Sequence, residues 1–376
     1  VRAFSRQADE LAAFTATNDT LRDIQLAGGR ISAMMNPLTY LLVNLAIVAI
    51  LLAGGRAVNA GALRQGAVIA LISYMSQILI NLLRVADLVL SVTRALASGA
   101  RLAEILDTPA TMAQGSQSAP AQTDADADAV RFERVDFTYR GAGAPSLSGI
   151  TFAARPGETV GVIGGTGSGK STLIDLIPRF YDATAGTVRL FGRDVRDYTF
   201  AALRGMIGIV PQRAVLFTGT VRDNLRWGKA DADDAEIWAA LETAQAAAFV
   251  REKPGGLDAP VETGGSNFSG GQRQRLTIAR ALVQKPRLLI LDDSSSALDF
   301  ATDAALRGAI RRTTGDATVF IVSQRASAVR QADRILVLDD GRLAGQGRHA
   351  ELLQTCPVYR EICLSQLSRE EVTREG

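Results

Sequence analysis

The chain has 376 residues, 47% of them hydrophobic, which is long enough for two domains and apolar enough to suggest membrane-spanning helices. Its 41 basic and 39 acidic residues give a net charge of +2, so no global electrostatic field favours nucleic acid as a partner. Cys356 and Cys363 lack metal-ligand spacing and are interpreted as reduced thiols. Because the chain starts at Val1 and has no recognisable signal peptide, we expect a fragment without its natural start.

Two uncharged stretches near the N-terminus predict helices that cross a membrane. Residues 31–55 contain no charged side chain, and a helix of that length spans roughly 37 Å, against a hydrocarbon core of about 30 Å. Residues 65–83 are also uncharged but less apolar. Their polar side chains suit either ordinary helix packing or a polar cavity inside a helix bundle: Ser73, Ser76, Gln77 and Asn81.

The distribution of arginine predicts how these spans are oriented. The connector between them carries Arg56 and Arg64, whereas each outer flank carries more arginines. The positive-inside rule therefore places the connector outside and both flanks in the cytoplasm. Residues 1–23 suit a polar, helical, cytoplasmic segment, and the helical pattern after the second span continues as far as Leu106.

A change of composition after the second span predicts a domain boundary. Residues 108–129 are rich in Ala, Gln, Ser, Pro and Asp, which is typical of a flexible, partly acidic linker. From Val130 onward, short β-type runs alternate with helical segments, which indicates an α/β domain with a largely parallel sheet. We therefore divide the chain into a membrane part (1–107), a linker (108–129), an α/β domain (130–366) and a tail (367–376).

One motif in the α/β domain binds phosphate in many proteins. A short apolar run before it predicts a buried strand, and the segment after it predicts a helix, which is the context that the motif requires. Its glycines allow successive backbone N–H groups to point at one anion. The motif matches G-x-x-x-x-G-K-[ST] and consists of Gly164, Gly165, Thr166, Gly167, Ser168, Gly169, Lys170 and Ser171. Lys170 is expected to reach the terminal phosphates and Ser171 to hold Mg²⁺.

Four further signals accompany this loop in a fixed order. Asp292 ends an apolar run, as expected of a strand that delivers a carboxylate to Mg²⁺. Gln212 follows a predicted strand, where its amide can contact metal or water, and Tyr139 is placed to stack on a purine ring. A second glycine-containing helix start suits an anion and consists of Ser269, Gly270, Gly271 and Gln272 after Phe268.

Together and in this order, these motifs resemble the nucleotide-binding domain of an ATP-binding cassette (ABC) transporter, and the spans before it resemble the end of an exporter half-transporter. The resemblance implies a helical membrane-bundle fragment, followed by an α/β P-loop NTPase with a RecA-like core and a helical subdomain. It implies ATP and Mg²⁺ as cofactors, with Tyr139 on adenine, and Ser171, Gln212 and Asp292 at the metal.

The same resemblance assigns the remaining motifs. Residues 164–172, ending at Thr172, would be the Walker A motif, and residues 268–272 the signature motif, with Phe268 in the usual Leu position. The D-loop would be Ser296-Ala297-Leu298-Asp299. The N-terminal residues would be the end of a fourth membrane helix and its cytoplasmic loop, in which residues 8–19 resemble the coupling helix that docks on a nucleotide-binding domain.

Two positions depart from the family pattern. Asp293 stands where the family has the glutamate that acts as general base, and its side chain is one methylene shorter, about 1.5 Å. A misplacement of about 1 Å can cost roughly 100-fold in rate, so hydrolysis should be impaired. Gln324 stands where the family has a histidine against the γ-phosphate; an amide donates a hydrogen bond but carries no charge. The single histidine, His349, lies in a later segment.

These observations predict a subunit of an ABC exporter in a bacterial-type plasma (inner) membrane, with several spans and a cytoplasmic nucleotide-binding domain. The paired departures resemble the degenerate half of heterodimeric exporters, so a second half-transporter is the expected partner and a small molecule, lipid or peptide the expected substrate. A homodimeric exporter with slow hydrolysis is the alternative. A soluble ATPase of the same superfamily is disfavoured by the two uncharged runs. An importer is disfavoured because importers usually carry membrane and ATPase parts on separate chains.

Overall fold

The computed structural model describes residues 4–109, 112–118, 127–294, 298–313 and 315–366. The chain divides into two compact units, Val1–Pro109 and Ala110–Gly376. Two residues of the predicted D-loop, Ser296 and Ala297, lie outside the described residues, as does the predicted tail 367–376. The two units are taken in turn.

The first unit consists of two long helices, α1 (Gln7–Asn59) and α2 (Gln65–Leu106). At 1.5 Å per residue they are about 80 Å and 63 Å long, so each is far longer than a bilayer core of about 30 Å. Pro37 lies inside α1 without ending it, as membrane helices tolerate. The connector turns at Gly61, where φ is +74°, a conformation that glycine adopts at low cost.

The helical character predicted for the N-terminal segment is confirmed from Gln7 onward, but the segment does not form a separate helix. Residues 8–19 belong to the same uninterrupted helix that continues to Asn59. Neither a separate coupling helix nor the end of an earlier membrane helix is present between residues 7 and 59. The reason is local: no proline interrupts the segment before Pro37, and Gly28 and Gly29 stay helical.

Both helices contain a segment that is long and apolar enough to cross a membrane, Pro37–Asn59 and Gln65–Leu82. These ranges overlap the predicted spans 31–55 and 65–83. Only 6% of the residues in each segment are buried, so their large apolar side chains form an exposed surface suited to lipid or to further helices. The helices approach closely at Gly54, where an added Cβ would lie 2.8 Å from a methyl group of the buried Val68.

The second unit contains three sheets within its described residues. Its strands are β1 (Val130–Phe137), β2 (Leu147–Ala154), β3 (Thr159–Gly164), β4 (Ala185–Leu190), β5 (Arg193–Asp194), β6 (Ile207–Val210), β7 (Gly219–Thr220), β8 (Pro260–Val261), β9 (Leu288–Asp292), β10 (Thr318–Ser323), β11 (Arg334–Asp339) and β12 (Arg342–Gly347). Its α-helices are α3 (Lys170–Leu176), α4 (Phe200–Gly205), α5 (Val221–Arg226), α6 (Asp234–Thr243), α7 (Ala247–Glu252), α8 (Gly270–Leu282), α9 (Phe300–Thr313), α10 (Ala326–Val329), α11 (His349–Thr355) and α12 (Pro357–Gln366).

The largest sheet has six strands in the order β12-β11-β3-β10-β9-β6. All neighbours pair in parallel except β11 and β12, which form an antiparallel hairpin. An antiparallel sheet of order β2-β1-β4-β5 packs in the same unit, and β7 pairs with β8. The largely parallel sheet that the sequence predicts is therefore present, whereas the separate antiparallel sheet was not anticipated.

The parallel strands are apolar throughout because both faces of the sheet are covered. In β9, Leu288 and Ile290 belong to the cluster shared with the antiparallel sheet and α3, whereas Leu289 and Leu291 belong to the cluster formed with α5 to α8. A third cluster joins α10, α11 and α12 to β3 and β11 and contains the fully buried Tyr359 and Cys363. This burial holds the carboxyl ends of the parallel strands at one edge of the sheet.

Part of the predicted linker, residues 112–118, is held by backbone hydrogen bonds. Within residues 112–118, the backbone N–H of Gly115 donates to the carbonyl of Tyr198 (3.1 Å), and that of Gln117 donates to Asp197 (3.0 Å). The carbonyl of Gln117 accepts from Thr199 (2.9 Å). The described part of the linker therefore pairs with the segment that leads into α4.

Gly115 should be essential for this pairing. An added Cβ would lie 2.3 Å from the backbone carbonyl of Asp197, so Gly115→Val must detach the segment. At about 1 kcal/mol for each lost hydrogen bond, amide exchange of Gln117 and proteolysis between residues 112 and 118 should accelerate about ten-fold or more. Ala113→Val, at an exposed position, is the matched control. Unchanged exchange in Gly115→Val would contradict the pairing.

Candidate nucleotide-binding site

The P-loop lies where the sequence predicts it, between β3 and α3. Gly167 and Gly169 have φ values of +81° and +94°, which side chains other than glycine rarely adopt. Gly169 precedes the first turn of α3, and Lys170 begins the helix. The loop thus curls around a point at the helix N-terminus, where unpaired backbone N–H groups favour an anion.

Lys170 is held over this loop by the loop's own backbone. Its Nζ donates to the carbonyls of Gly164 (2.9 Å) and Gly165 (2.6 Å). Burial lowers the pKa of Lys170, and the charges of Asp292 and Asp293 oppose this shift. The loop carbonyls therefore fix the direction of the ammonium group, at the expense of partial desolvation.

Neighbouring backbone braces the loop so closely that two of its positions admit only glycine. An added Cβ at Gly164 would lie 2.2 Å from the carbonyl oxygen of Leu338, and one at Gly169 would lie 2.8 Å from that of Ser146. The β11–β12 hairpin also contacts the loop directly, because Gly341 donates its N–H to the carbonyl of Ser168 (3.3 Å).

Acidic and amide groups face the loop from the ends of adjacent strands. Ser171 Oγ donates to Asp292 Oδ2 at 3.3 Å, and Gln212 Nε2 donates to Asp293 Oδ2 at 3.4 Å. Burial and then the charge of Asp293 raise the pKa of Asp292. Burial and then the charge of Asp292 raise the pKa of Asp175 to about 6. A divalent cation would offset the mutual repulsion of these carboxylates.

A cleft of about 590 Å³ connects these groups. Eleven of the predicted site residues line it: Tyr139, Thr166, Gly167, Gly169, Lys170, Ser171, Thr172, Gln212, Asp292, Asp293 and Gln324. Tyr139 stands at its rim with its ring edge-on to Phe137 and Tyr181, at centroid distances of 4.7 Å and 5.2 Å. Its hydroxyl lies 3.2 Å from that of Thr172, so the ring orientation is defined from two sides.

The two departures from the family pattern both lie in this cleft. Asp293 has φ +42°, a left-handed conformation that Asp tolerates better than most residues. Its backbone N–H donates to the carbonyl of Val322 (2.9 Å). Gln324 Oε1 accepts a long hydrogen bond from Thr166 Oγ1 (3.5 Å). His349 lies elsewhere, with Nδ1 2.8 Å from the hydroxyl of Tyr359.

The predicted signature residues occupy a different surface. Ser269 accepts from the N–H of Gln272, and the Gln272 side chain accepts from the N–H of Ser269, so the two form a capping box at the start of α8. Gly270 and Gly271 form the first turn of that helix. None of these four described residues lines the cleft at the P-loop; Gly270 and Gln212 line a neighbouring depression.

Sequence reasoning missed several residues of the cleft. Residues 144–146, Asp340 and Gly341 line it from a loop and from the β11–β12 turn. The Asp-Gly pair between two apolar runs is a hairpin signal that predicts the turn, but not its contact with the P-loop. Asp175 carries no motif, and only its packing near Asp292 reveals its electrostatic role.

The raised pKa of Asp175 predicts a pH-dependent stability in metal-free protein. The pKa of Asp175 is 3.8 in the unfolded reference and about 6 in the folded protein, so folding favours the protonated carboxyl group. The contribution of Asp175 to the free energy of unfolding is therefore fully present below pH 3.8 and is lost as the pH rises through 6. Asp175→Asn should therefore raise the free energy of unfolding at pH 7.5 by about 1 kcal/mol after allowance for partial exposure, with a smaller gain at pH 4.5.

Denaturant unfolding in EDTA at both pH values measures this difference. Asp316→Asn, on an exposed turn, is the matched control and should show no such pH-dependent gain. An equal gain for Asp175→Asn at both pH values would contradict the assignment.

Both units match families of known proteins. The profile of the ABC transporter domain matches residues 147–296, and that of the ABC transporter transmembrane region matches residues 1–83. An uncharacterized ABC transporter ATP-binding protein of Mycobacterium tuberculosis is 44% identical over 370 residues, which cover 97% of this chain and 63% of that protein. The ATP-dependent lipid A-core flippase of Chromobacterium violaceum is 34% identical, with 99% of this chain and 63% of that protein covered.

A solved structure of a bacterial Atm1-family ABC exporter with ATP bound is also similar. Its TM-score is 0.84 at 31% identity, and the match covers 98% of this chain and 64% of that one. The chain thus spans about 63% of the length of these relatives. With its P-loop, its six-stranded sheet and its two membrane-length helices, the chain belongs to the ABC transporter family and contains a transmembrane region and a nucleotide-binding domain.

Proposed function

We propose that this chain is a subunit of an ATP-driven exporter that couples ATP binding and hydrolysis to the outward movement of a substrate. The observation that carries the proposal is the convergence of Lys170, Ser171, Asp292 and Gln212 on one cleft, in a chain with two helices long enough to span a bilayer. The membrane would be the plasma (inner) membrane, with the nucleotide-binding domain in the cytoplasm, as the arginine distribution favours.

The cleft fits Mg-ATP in its donor set. The loop of residues 164–171 offers N–H groups and Lys170 to the phosphates, and Tyr139 offers an oriented ring to the adenine. Ser171, Asp292 and Gln212 offer oxygen ligands, which Mg²⁺ prefers together with phosphate oxygens. When bound, Mg²⁺ would neutralise charge on the phosphates and on the carboxylates around Asp292.

The hydrolytic groups of this site are weakened in our proposal. Asp293 would hold and deprotonate the attacking water, yet its short side chain also accepts from Gln212. Gln324 would contact the γ-phosphate as a neutral amide rather than as a histidine. Both differences reduce transition-state stabilisation, whereas the groups that bind nucleotide are retained.

The combination of retained nucleotide-binding groups and weakened hydrolytic groups supports a heterodimer in which this chain is the degenerate half. In this family each ATP lies between the Walker A motif of one domain and the signature motif of the other. The exposed helix start at Ser269, Gly270 and Gly271 is well formed, so it could complete a competent site on a partner half-transporter. The site built on Lys170 and Asp293 would hold ATP for long periods. A homodimer with slow hydrolysis remains the second candidate.

The names of two relatives support a substrate class, whereas the nucleotide cleft carries no information on it. One relative is named a lipid A-core flippase, and another is a fatty acid ABC transporter of Mycobacterium bovis that is 34% identical over 362 residues. We therefore favour an amphiphilic small molecule, lipid or peptide. Uncharged polar side chains on α2, such as Ser73, Gln77 and Asn81, suit such a substrate.

Lys170→Ala should reduce ATP affinity of the full chain at least ten-fold, because it removes the ammonium that the loop orients toward phosphate. Lys285→Ala, which removes an exposed lysine paired with Glu236, is the matched control and should bind normally. Binding of a fluorescent ATP analogue to purified protein in detergent measures both. Equal affinity of the two variants would show that the P-loop assignment is wrong.

The heterodimer predicts effects of very different size for two substitutions when ATPase is measured with the partner half-transporter. Asp293→Asn should lower total turnover only slightly, because the partner's site dominates. Ser269→Arg should lower it at least ten-fold, because it disrupts the motif that completes that site; Ser118→Arg, at an exposed position, is the matched control. Robust turnover by this chain alone, abolished by Asp293→Asn, would instead favour the homodimer.

A further inference from the structure

The last residue of α12 makes an unusual pair of contacts. Gln366 Nε2 donates to the backbone carbonyl of Gln324 at 2.7 Å, and Gln366 Oε1 accepts from the backbone N–H of Ala326 at 2.9 Å. One side-chain amide therefore bridges the two backbone groups on either side of Arg325. These contacts join residues 40 and 42 positions apart, so they are tertiary and not part of a local turn.

The bridged segment has few other contacts of this kind. It connects β10 to α10, and α10 has no side-chain cap from its N-cap residue, Arg325. The N–H of Arg325 donates to Ser323 Oγ (3.1 Å). Gln366 supplies the bond to the N–H of Ala326, the first residue of α10, which the helix itself leaves unpaired.

The supporting helix is well anchored. Tyr359 and Cys363 of α12 are fully buried in a cluster that also contains Ala326 and Val329 of α10. A side chain on such a packed element positions its partner more accurately than one on a loop. Gln366 lies at the exposed end of this anchored helix, and its two hydrogen bonds hold the backbone at Gln324 and Ala326.

We infer that Gln366 is a positioning residue for the nucleotide site: it fixes the backbone of Gln324 so that the Gln324 amide faces the terminal phosphate of ATP. The inference rests on the proposed function and adds a residue from the C-terminal helix to it. The Gln324 side chain lines the cleft and lies within reach of Thr166 in the P-loop. Lys170 and Tyr139 do not depend on this contact, so Gln366 should affect the γ-phosphate and not the rest of the nucleotide.

The test compares ATP and ADP affinity of the full chain. Gln366→Leu keeps the size and helix preference of the side chain but removes both hydrogen bonds. We expect about a five-fold loss of ATP affinity with ADP affinity within about two-fold of wild type, as for one hydrogen bond made only to the γ-phosphate. Ser365→Ala is the matched control, since its hydroxyl contacts only Ile362 of its own helix, and both affinities should be unchanged.

A double-mutant cycle separates positioning from general damage. Gln324→Ala should weaken ATP binding to a similar extent, and the combined variant should bind no worse than Gln324→Ala alone. Gln366→Glu keeps an acceptor for Ala326 but removes the donor to Gln324, so it too should weaken ATP selectively. Equal losses of ATP and ADP affinity, additive losses in the cycle, or no loss would each overturn the inference.

A failure of the positioning role of Gln366 can be distinguished from a failure of the proposed function. If Lys170→Ala abolishes ATP binding while Gln366→Leu leaves it unchanged, the nucleotide site stands and only the positioning role is wrong. If Lys170→Ala has no effect, the proposed function itself is wrong.

Discussion

The site depends on the placement of β3 between β10 and β11 in a sheet whose parallel strands end at one edge. The P-loop follows β3, and the register brings Gly164 beside Leu338 of β11. Asp292 ends β9 next to Val322 of β10, and Gln212 follows β6. Because these strands run in the same direction, the segments at the ends of β3, β6, β9 and β10 deliver their side chains to one cleft, as is general for ligand sites in open parallel sheets.

Electrostatics within this cleft couple the acidic and basic groups. Burial disfavours the charged form of Lys170 and also that of Asp175 and Asp292, while the carboxylates favour the ammonium. Two loop carbonyls fix the direction of the Lys170 ammonium group. Donors held in fixed positions in this way are the condition for strong electrostatic stabilisation.

Asp293 and Gln324, the two residues that depart from the family pattern, are each held by a neighbouring glutamine. Asp293 has a left-handed backbone conformation and accepts a hydrogen bond from Gln212. The backbone carbonyl of Gln324 accepts a hydrogen bond from the side chain of Gln366. The site therefore keeps a defined architecture around these two residues. In the proposed heterodimer, such a site would retain nucleotide rather than hydrolyse it rapidly, while the chain would still contribute its P-loop and its signature motif to the assembly.

The sequence alone determined the membrane-length segments, the P-loop with its flanking strand and helix, Asp292, and the order of the motifs, because these features depend on local periodicity and spacing. Only the tertiary structure decided the pairing of residues 112–118 with residues 197–199, and the contacts of Asp175, Asp340 and Gln366. Each of these depends on packing or hydrogen bonds between residues far apart in the chain. Local patterns carry no information about such contacts, since their free energy arises only when the sheet and its covering helices have brought the segments together.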